Sequence, residues 1–458
     1  MQNMIDSGYA SIRRKRVVVI GGGFAGLNFV KHLDARRFDV VVIDRNNYHC
    51  FPPLFYQVAS AGLDPASICF PLRRELRKRG SRNIQFHMGE VKNIDCSHRI
   101  VRTKTEEVGY DILIICAGTT NNFFNMPQLE KSVYTLKSTS QALRCRNDIL
   151  DILEQASLEQ DMERQKKMLN FVVIGGGPTG VEIAGAIGEM KRYVLPREYP
   201  SIPQENMTIT IVEGNTRLLG TMSEKSSEVA YRDLKSLMVD IELGATMHDY
   251  TDNVVTLADG RKIDCSHLIW TAGVIGENIA VTGTGGKDLS EELIGRGRRW
   301  KVDGLCRVKG VDGVYAIGDI SIMEDVDENF PNGHPQLAQV AIQEGKLVAR
   351  NLMELEKAEE CAARKENYTP RLKEFKYNDK GSMATIGRNR AVVDMKKMHL
   401  SGFMAWLAWM FVHLMSLLGM RNKITALINW IWAYFNYSTS LRLLIHPCRY
   451  PLRRRWMD

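Results

Sequence analysis

The chain is predicted to be an α/β protein carrying two doubly wound parallel sheets, and three observations predict it. A run of β-branched residues, Arg16-Val17-Val18-Val19-Ile20, leads straight into Gly21-Gly22-Gly23-Phe24-Ala25-Gly26. The same order recurs where Phe171-Val172-Val173-Ile174 leads into Gly175-Gly176-Gly177-Pro178-Thr179-Gly180. Each glycine turn is followed by an apolar strand ending in an acid: Phe38–Ile43 ends at Asp44, and Met207–Val212 ends at Glu213.

Strand, glycine turn and helix in this order fit the GxGxxG pattern of Rossmann-like dinucleotide-binding domains. One glycine makes the tight turn, one lets the backbone approach a pyrophosphate, and one lets the helix pack on its strand. The helix start offers free N–H groups and a positive dipole end to the phosphates. Asp44 and Glu213 stand where a carboxylate grips a ribose hydroxyl. The gap before Glu213 is the longer one, and Leu195-Pro196 through Pro203 reads as an inserted loop. A carboxylate at 213 accepts from a free 2′-hydroxyl and repels a 2′-phosphate. NADH is therefore expected over NADPH, with Arg217 close enough in sequence to moderate the preference. Two such sites imply two dinucleotides and electrons passed between them.

Length and composition agree. At 458 residues there is room for two or three domains with full cores. Nine cysteines without a CxxC, and no hydrophobic leader at the start, predict reduced thiols in a cytoplasm. The basic stretch Arg13-Arg14-Lys15-Arg16 abuts the first strand and reads as a solvated flank. The net charge of +8 is carried by scattered residues without a nucleic-acid motif. It favours an anionic membrane surface rather than nucleic acid as the partner.

Further strands order the chain. Tyr110–Thr119 and His267–Gly273 are buried runs ending in small residues, and Gly313-Val314-Tyr315-Ala316-Ile317 ends in Gly318-Asp319. This order resembles the flavoprotein disulfide reductase superfamily, in which an FAD domain is interrupted by an inserted NAD(P)H domain. The resemblance implies an FAD domain at 12–122 and 274–350, an NADH domain at 123–273, and a C-terminal region at 351–458 with a β-hairpin. It makes Asp319 a flavin ligand. Disulfide reductases need a cysteine pair beside the flavin. Here Cys50 and Cys69 are nineteen positions apart and neither has a partner close in sequence, so thiol relay is not expected. Cys116 and Cys306 read as small buried apolar residues.

Three segments narrow the choice: Phe51–Ser60 with its Pro52-Pro53-Leu54-Phe55-Tyr56, Gln336–Gly345, and Asp379–Arg388 with Ala391-Val392. With the glycine motifs they resemble type II NADH dehydrogenases, single-subunit NADH:quinone oxidoreductases. The resemblance covers nearly the whole chain, and Ala338-Gln339-Val340-Ala341 is its most specific part. It implies non-covalent FAD, NADH as substrate, a quinone acceptor (menaquinone or ubiquinone) and a homodimer. Hydride would pass from NADH to FAD N5, and two electrons would then pass to the quinone.

Cofactor contacts are expected at Gly21, Gly23, Phe24, Ala25, Gly26, Asp44, Val91, Ala117, Gly118, Gly175, Gly177, Gly180, Glu213, Ala272, Gly273, Asp319 and Ala338. Gln339 and Gln343, one helical turn apart, are expected near the quinone. Glu182, just after the second glycine turn, is expected to handle protons or orient the nicotinamide. By the same analogy Pro53, Leu54 and Tyr56 shape the flavin pocket. The alternatives are a sulfide:quinone oxidoreductase with reactive cysteines, a soluble ferredoxin- or rubredoxin-type reductase, and a flavin-binding membrane sensor without turnover.

Residues 402–419 carry no Asp, Glu, Lys or Arg, and a second apolar stretch covers 424–435. The first is at the short limit for a span, which leaves a transmembrane helix at 402–419 as an alternative, and the second is too short. Trp406, Trp409, Trp430 and Trp432, with Tyr434 and Tyr437, suit a headgroup boundary. Arg442, Arg449, Arg453, Arg454 and Arg455 suit anionic lipid. Two helices lying in one leaflet are expected, on the cytoplasmic face of the inner (cell) membrane, and no direct proton pumping. The rival arrangement buries the helices in a dimer interface. His413 is expected to be packed rather than a metal ligand.

Overall fold

The computed structural model describes residues 14–77, 83–396, 398–436 and 441–444. Arg13, Tyr437, Arg449, Arg453, Arg454 and Arg455, named above, lie outside them. The chain forms two compact units: Met1–His49, Phe70–Thr120 and Val274–Lys380 in one, and Cys50–Cys69, Asn121–Gly273 and Gly381–Asp458 in the other.

In the first unit, strands β1 (Lys15–Ile20), β2 (Phe38–Asp44), β3 (Ile84–Met88), β4 (Ile112–Ile115) and β10 (Val314–Ala316) form one parallel sheet in the order β10–β4–β1–β2–β3. Val17, Val18 and Val19 are fully buried, so both faces of β1 are covered, as a sheet with crossover helices requires. The strand order reverses direction between β1 and β4. That switch point opens the crevice where α/β sheets bind ligands. Helix α1 (Phe24–His32) follows the first glycine turn, and the 26-residue helix α3 (Ala338–Ala363) packs along it.

The second unit repeats the plan with β5 (Tyr134–Thr135), β6 (Asn170–Ile174), β7 (Thr208–Glu213), β8 (Asp240–Leu243) and β9 (His267–Trp270), parallel in the order β5–β9–β6–β7–β8. Helix α2 (Pro178–Glu189) continues through a π-helical turn, Met190–Val194, into Leu195–Glu198. The stretch expected to be an inserted loop therefore begins as a helical extension. The terminal part of the unit opens with a three-stranded antiparallel sheet rather than a simple hairpin: β11 (Ser382–Gly387), β12 (Arg390–Met395) and β13 (Met398–Ser401). A Cβ at Gly185 of α2 would overlap the Ile386 carbonyl, so helix and sheet meet backbone to backbone.

Helices α4 (Gly402–Ser416) and α5 (Met420–Asn436) are the last described helices. At 1.5 Å per residue they reach only about 22 and 26 Å. No described helix is long and apolar enough to cross a membrane. Phe403, Met404, Phe411 and Met415 are exposed on α4, and Ile424, Ile428, Ile431, Trp432 and Phe435 on α5. Two of the tryptophans depart from the boundary expected of them. Trp409 and Trp430 are 1% and 8% exposed, with ring centroids 5.8 Å apart between the helices. Composition could not say which indoles face inward. Arg442 is also spoken for, its Nε 2.7 Å from Glu198 Oε2.

Between Asp44 and Ile84 the chain makes a two-stranded ribbon, Tyr48–Cys50 with Cys69–Pro71. Phe51 N donates to Ile68 O (3.0 Å) and Leu72 N to Asn47 O (2.9 Å). These bonds make the ribbon antiparallel and set Cys50 directly opposite Cys69. The partner that Cys50 lacks in sequence is supplied by register.

Candidate active site

The first glycine turn sits at the C-terminal end of β1. Gly21 has φ +104°, and a Cβ at Gly26 would overlap the Gly21 carbonyl oxygen, so α1 can start this close to its strand only with glycine there. A Cβ at Gly23 would meet nothing, and Gly23 caps α1 without a side-chain hydrogen bond. The N–H groups of Phe24 and Ala25 at the helix start are thus offered to a phosphate.

Asp44 Oδ2 accepts from Gly22 N (2.6 Å) and Oδ1 from Asn46 N (2.7 Å). Burial raises the Asp44 pKa, and these two N–H groups oppose the rise. Gly118 (φ +72°) follows Cys116-Ala117 at the end of β4 and also has open space at its Cβ position. Val91 lies two residues beyond Gly89, whose N–H donates to Asp44 O (2.9 Å). Gly318-Asp319 forms a 3-10 turn after β10. Gln336 Nε2 donates to Asp319 O (3.0 Å), and α3 begins at Ala338 without a side-chain cap. Open backbone at Gly23 and Gly118, a carboxylate held at the end of β2 and an uncapped 26-residue helix fit FAD.

The two glutamines of α3 do more than line a surface. Gln339 Oε1 accepts from Lys380 N (3.1 Å). Gln343 uses both amide atoms on Asn378, donating to its carbonyl and accepting from its N–H, each at 3.0 Å. Together they hold residues 378–380 along the helix.

The second glycine turn copies the first. Gly175 has φ +107°, a Cβ at Gly180 would overlap the Gly175 carbonyl, and Gly177 is open and caps α2 without a side chain. Glu213 Oε2 accepts from Gly176 N, and Oε1 from Asn215 N (2.8 Å) and Nδ2 (2.6 Å). Thr271 Oγ1, preceding Ala272-Gly273, donates to Ile174 O (2.8 Å) and Gly175 O (3.1 Å). Arg217 instead spends its guanidinium on the carbonyls of Gly220 and Met222 (both 2.9 Å) and on Ser227 Oγ. None of these bonds is to Glu213.

Within the same unit, Glu182 of α2 is buried, its Oε1 accepting a long 3.5 Å bond from Thr385 N. Burial lifts its pKa well above the usual carboxylate range. Tyr56 is buried where the Glu182 charge helps push its own pKa up, and its hydroxyl accepts from Gln57 Nε2 (2.9 Å). Gln57 Oε1 in turn accepts from Trp430 Nε1 (2.8 Å). His413 is packed, as expected, with Nδ1 on Trp409 O (2.8 Å) and its pKa lowered by burial to about 4. No group of three metal-binding side chains occurs among the described residues.

Four residues escaped the sequence reading. His49 is buried with Nδ1 2.9 Å from Gly22 O and its ring edge-on to Phe24, and burial lowers its pKa to about 4. Glu344 is 2% exposed, accepts from Gly318 N (2.5 Å), and is raised by burial to about 8. Glu189 accepts from Arg388 N (2.6 Å), and Arg388 Nη1 donates to Tyr434 O (2.6 Å) near the end of α5. Only Glu189 had a signal, since it lies two turns beyond Glu182 on the face that carries Gly185.

Residues 15–345 match the family model for pyridine nucleotide-disulphide oxidoreductases, and residues 380–436 match the NDH2 C-terminal domain. The type II NADH:quinone oxidoreductase Ndh of Mycobacterium tuberculosis is 36% identical over 429 residues, covering 91% of this chain and 88% of that protein. The chain belongs to the type II NADH:quinone oxidoreductase family. The external alternative NAD(P)H-ubiquinone oxidoreductase B4 of Arabidopsis thaliana is 31% identical over 71% of this chain and 58% of its own length. Plasmodium falciparum NDH2, solved with NADH, shares the fold at TM-score 0.83 and 22% identity, covering 95% of this chain and 100% of that one. A sulfide:quinone oxidoreductase from Aquifex aeolicus shares it less closely, at TM-score 0.67 and 17% identity over 95% and 97% of the two chains.

Proposed function

We propose that the first glycine turn of this family member holds FAD and the second holds NADH, with the quinone met near Gln339. The activity itself follows from family membership: the chain is an FAD-dependent NADH:quinone oxidoreductase. FAD, when bound, supplies a hydride acceptor and the two electrons that a quinone takes up.

The residues divide the remaining work. The N-terminus of α1 and the open backbone at Gly23 receive one pyrophosphate, and α2 with Gly177 receives the other. Asp44 and Glu213, each locked to its turn's second glycine, grip the riboses. Glu213 excludes a 2′-phosphate by charge. Ala338 at the start of α3, with Gly318-Asp319, forms a polar edge beside the flavin. Gln339 offers an amide to a quinone carbonyl, and Gln343 positions the segment beside it through Asn378. Glu182, whose pKa burial lifts well above the usual carboxylate range, handles protons or orients the nicotinamide.

The regions 12–122 with 274–350, 123–273 and 351–458 are assigned as FAD-binding, NADH-binding and membrane-associating. The apolar faces of α4 and α5 support peripheral attachment to a lipid leaflet, assigned to the cytoplasmic face of the inner (cell) membrane. A homodimer is the assembly the family resemblance implies.

The observation that carries the assignment is the pair of matched latches, Asp44 on Gly22 and Glu213 on Gly176. Anaerobic titration of the purified protein with NADH should bleach the flavin absorbance, and a soluble quinone should restore it. Protein that stays colourless after refolding with FAD would end the proposal.

A further inference from the structure

Cys50 and Cys69 belong to no part of the machinery above, yet they face each other across the ribbon. The bonds from Phe51 N to Ile68 O and from Leu72 N to Asn47 O fix the pairing to alternate positions. Cys50 opposite Cys69 is therefore a pair without ladder hydrogen bonds. Such pairs stand with Cα atoms about 4.5 Å apart and side chains on one face. That separation lies within the range of about 4.4–6.8 Å a disulfide requires. Both side chains are half-buried. Cys69 Sγ is held 3.2 Å from Thr139 Oγ1, and Cys69 O accepts from Asn422 Nδ2 (2.8 Å) on α5. The loop between the two cysteines carries Phe51, Tyr56 and Gln57, which seat His413, Trp409 and Trp430 of the terminal helices.

We propose that Cys50 and Cys69 are a thiol–disulfide modification site that closes this loop covalently at its base. The oxidant is a low-molecular-weight disulfide. One cysteine thiolate attacks it, forming a mixed disulfide and releasing one thiolate. The second cysteine then attacks the mixed disulfide and expels the other. Two protein thiols lose two electrons, the small disulfide gains them, and both protons leave on the released thiols. A dithiol reductant reverses the exchange. Closure removes freedom from the loop that seats α4 and α5, so the oxidised form resists unfolding more than the reduced form.

The test uses the full-length flavoprotein under native conditions with oxidised glutathione as probe. Thiols open to alkylation should fall by two, digestion should yield a peptide joining Cys50 to Cys69, and the thermal midpoint should rise and return with dithiothreitol. Cys50→Ser and Cys69→Ser should each carry a glutathione adduct on the remaining cysteine. A wild-type protein bearing glutathione at either position without the cross-link would overturn the proposal. So would two unreacted thiols under conditions that modify Cys361.

Discussion

Replacing Glu213 by Gln tests the ribose assignment where the structure makes its strongest commitment. Gln keeps the shape and an acceptor for Asn215 N, but it loses the charge that Gly176 N and Asn215 Nδ2 now address. A hydrogen bond to a charged group contributes about 1.5–3 kcal/mol and a neutral one about 0.5–1.5. Loss of charge should therefore weaken NADH by about 1–1.5 kcal/mol, roughly 5- to 13-fold. Relief of repulsion acts on NADPH in the opposite sense. One unit-charge pair at 4 Å is worth about 4 kcal/mol at an effective dielectric of 20, reduced further by solvent and salt. A tenfold gain for NADPH is a conservative share of that.

The ratio of kcat/KM for NADH over NADPH should narrow by about two orders of magnitude. Arg217 will not blunt the effect, because its guanidinium is tied to Gly220 and Met222. The assay is initial-rate kinetics with a soluble quinone at saturation, with flavin content checked in each preparation. A ratio within twofold of wild type, in protein that retains its flavin, would refute the reasoning.

Gln339→Ala should raise the KM for quinone or slow flavin reoxidation while stopped-flow reduction by NADH stays near wild type; lost reduction would place Gln339 elsewhere. Glu344, raised to about 8 by burial, binds its proton more tightly in the folded than in the unfolded state. Its contribution is therefore fully present below about pH 4.5 and is lost as pH rises through about 8. Glu344→Gln should gain on wild type by up to about 2 kcal/mol between pH 6 and 8, read from unfolding midpoints, and an offset independent of pH would contradict that burial. Exchanging Phe411 and Ile428, both exposed, for Glu should release protein from anionic vesicles in a flotation assay without loss of activity toward a soluble quinone. Retained flotation would argue against the lipid-facing assignment of α4 and α5.

The two sheets and their turns were legible because everything that specifies them is local. A β-branched run, three glycines and an acid at the next strand end determine Asp44 on Gly22 and Glu213 on Gly176 without help from distant chain. What stayed hidden depends on register or on which side of a helix faces inward. The bond of Gln343 to Asn378 stayed hidden because the two are thirty-five positions apart. Cys50 read as solitary because its partner is set by ribbon pairing. Trp409 and Trp430 read as boundary residues because hydropathy does not say which indole meets Tyr56 or Gln57. The expected loop at Leu195 begins helical because α2 runs on through the π-helical turn at Met190–Val194 into Leu195–Glu198. His49 and Glu344 gave no sequence signal, since single polar residues in apolar surroundings acquire their roles only from the backbone groups they meet.

The backbone meeting of Gly185 with Ile386 limits how this polypeptide can be re-engineered. With no space for even a methyl group, residues 381–436 cannot be grafted from a relative as an appendage. A chimera must import the matching helix along with them, or its join will be forced apart where Glu182 receives the Thr385 amide.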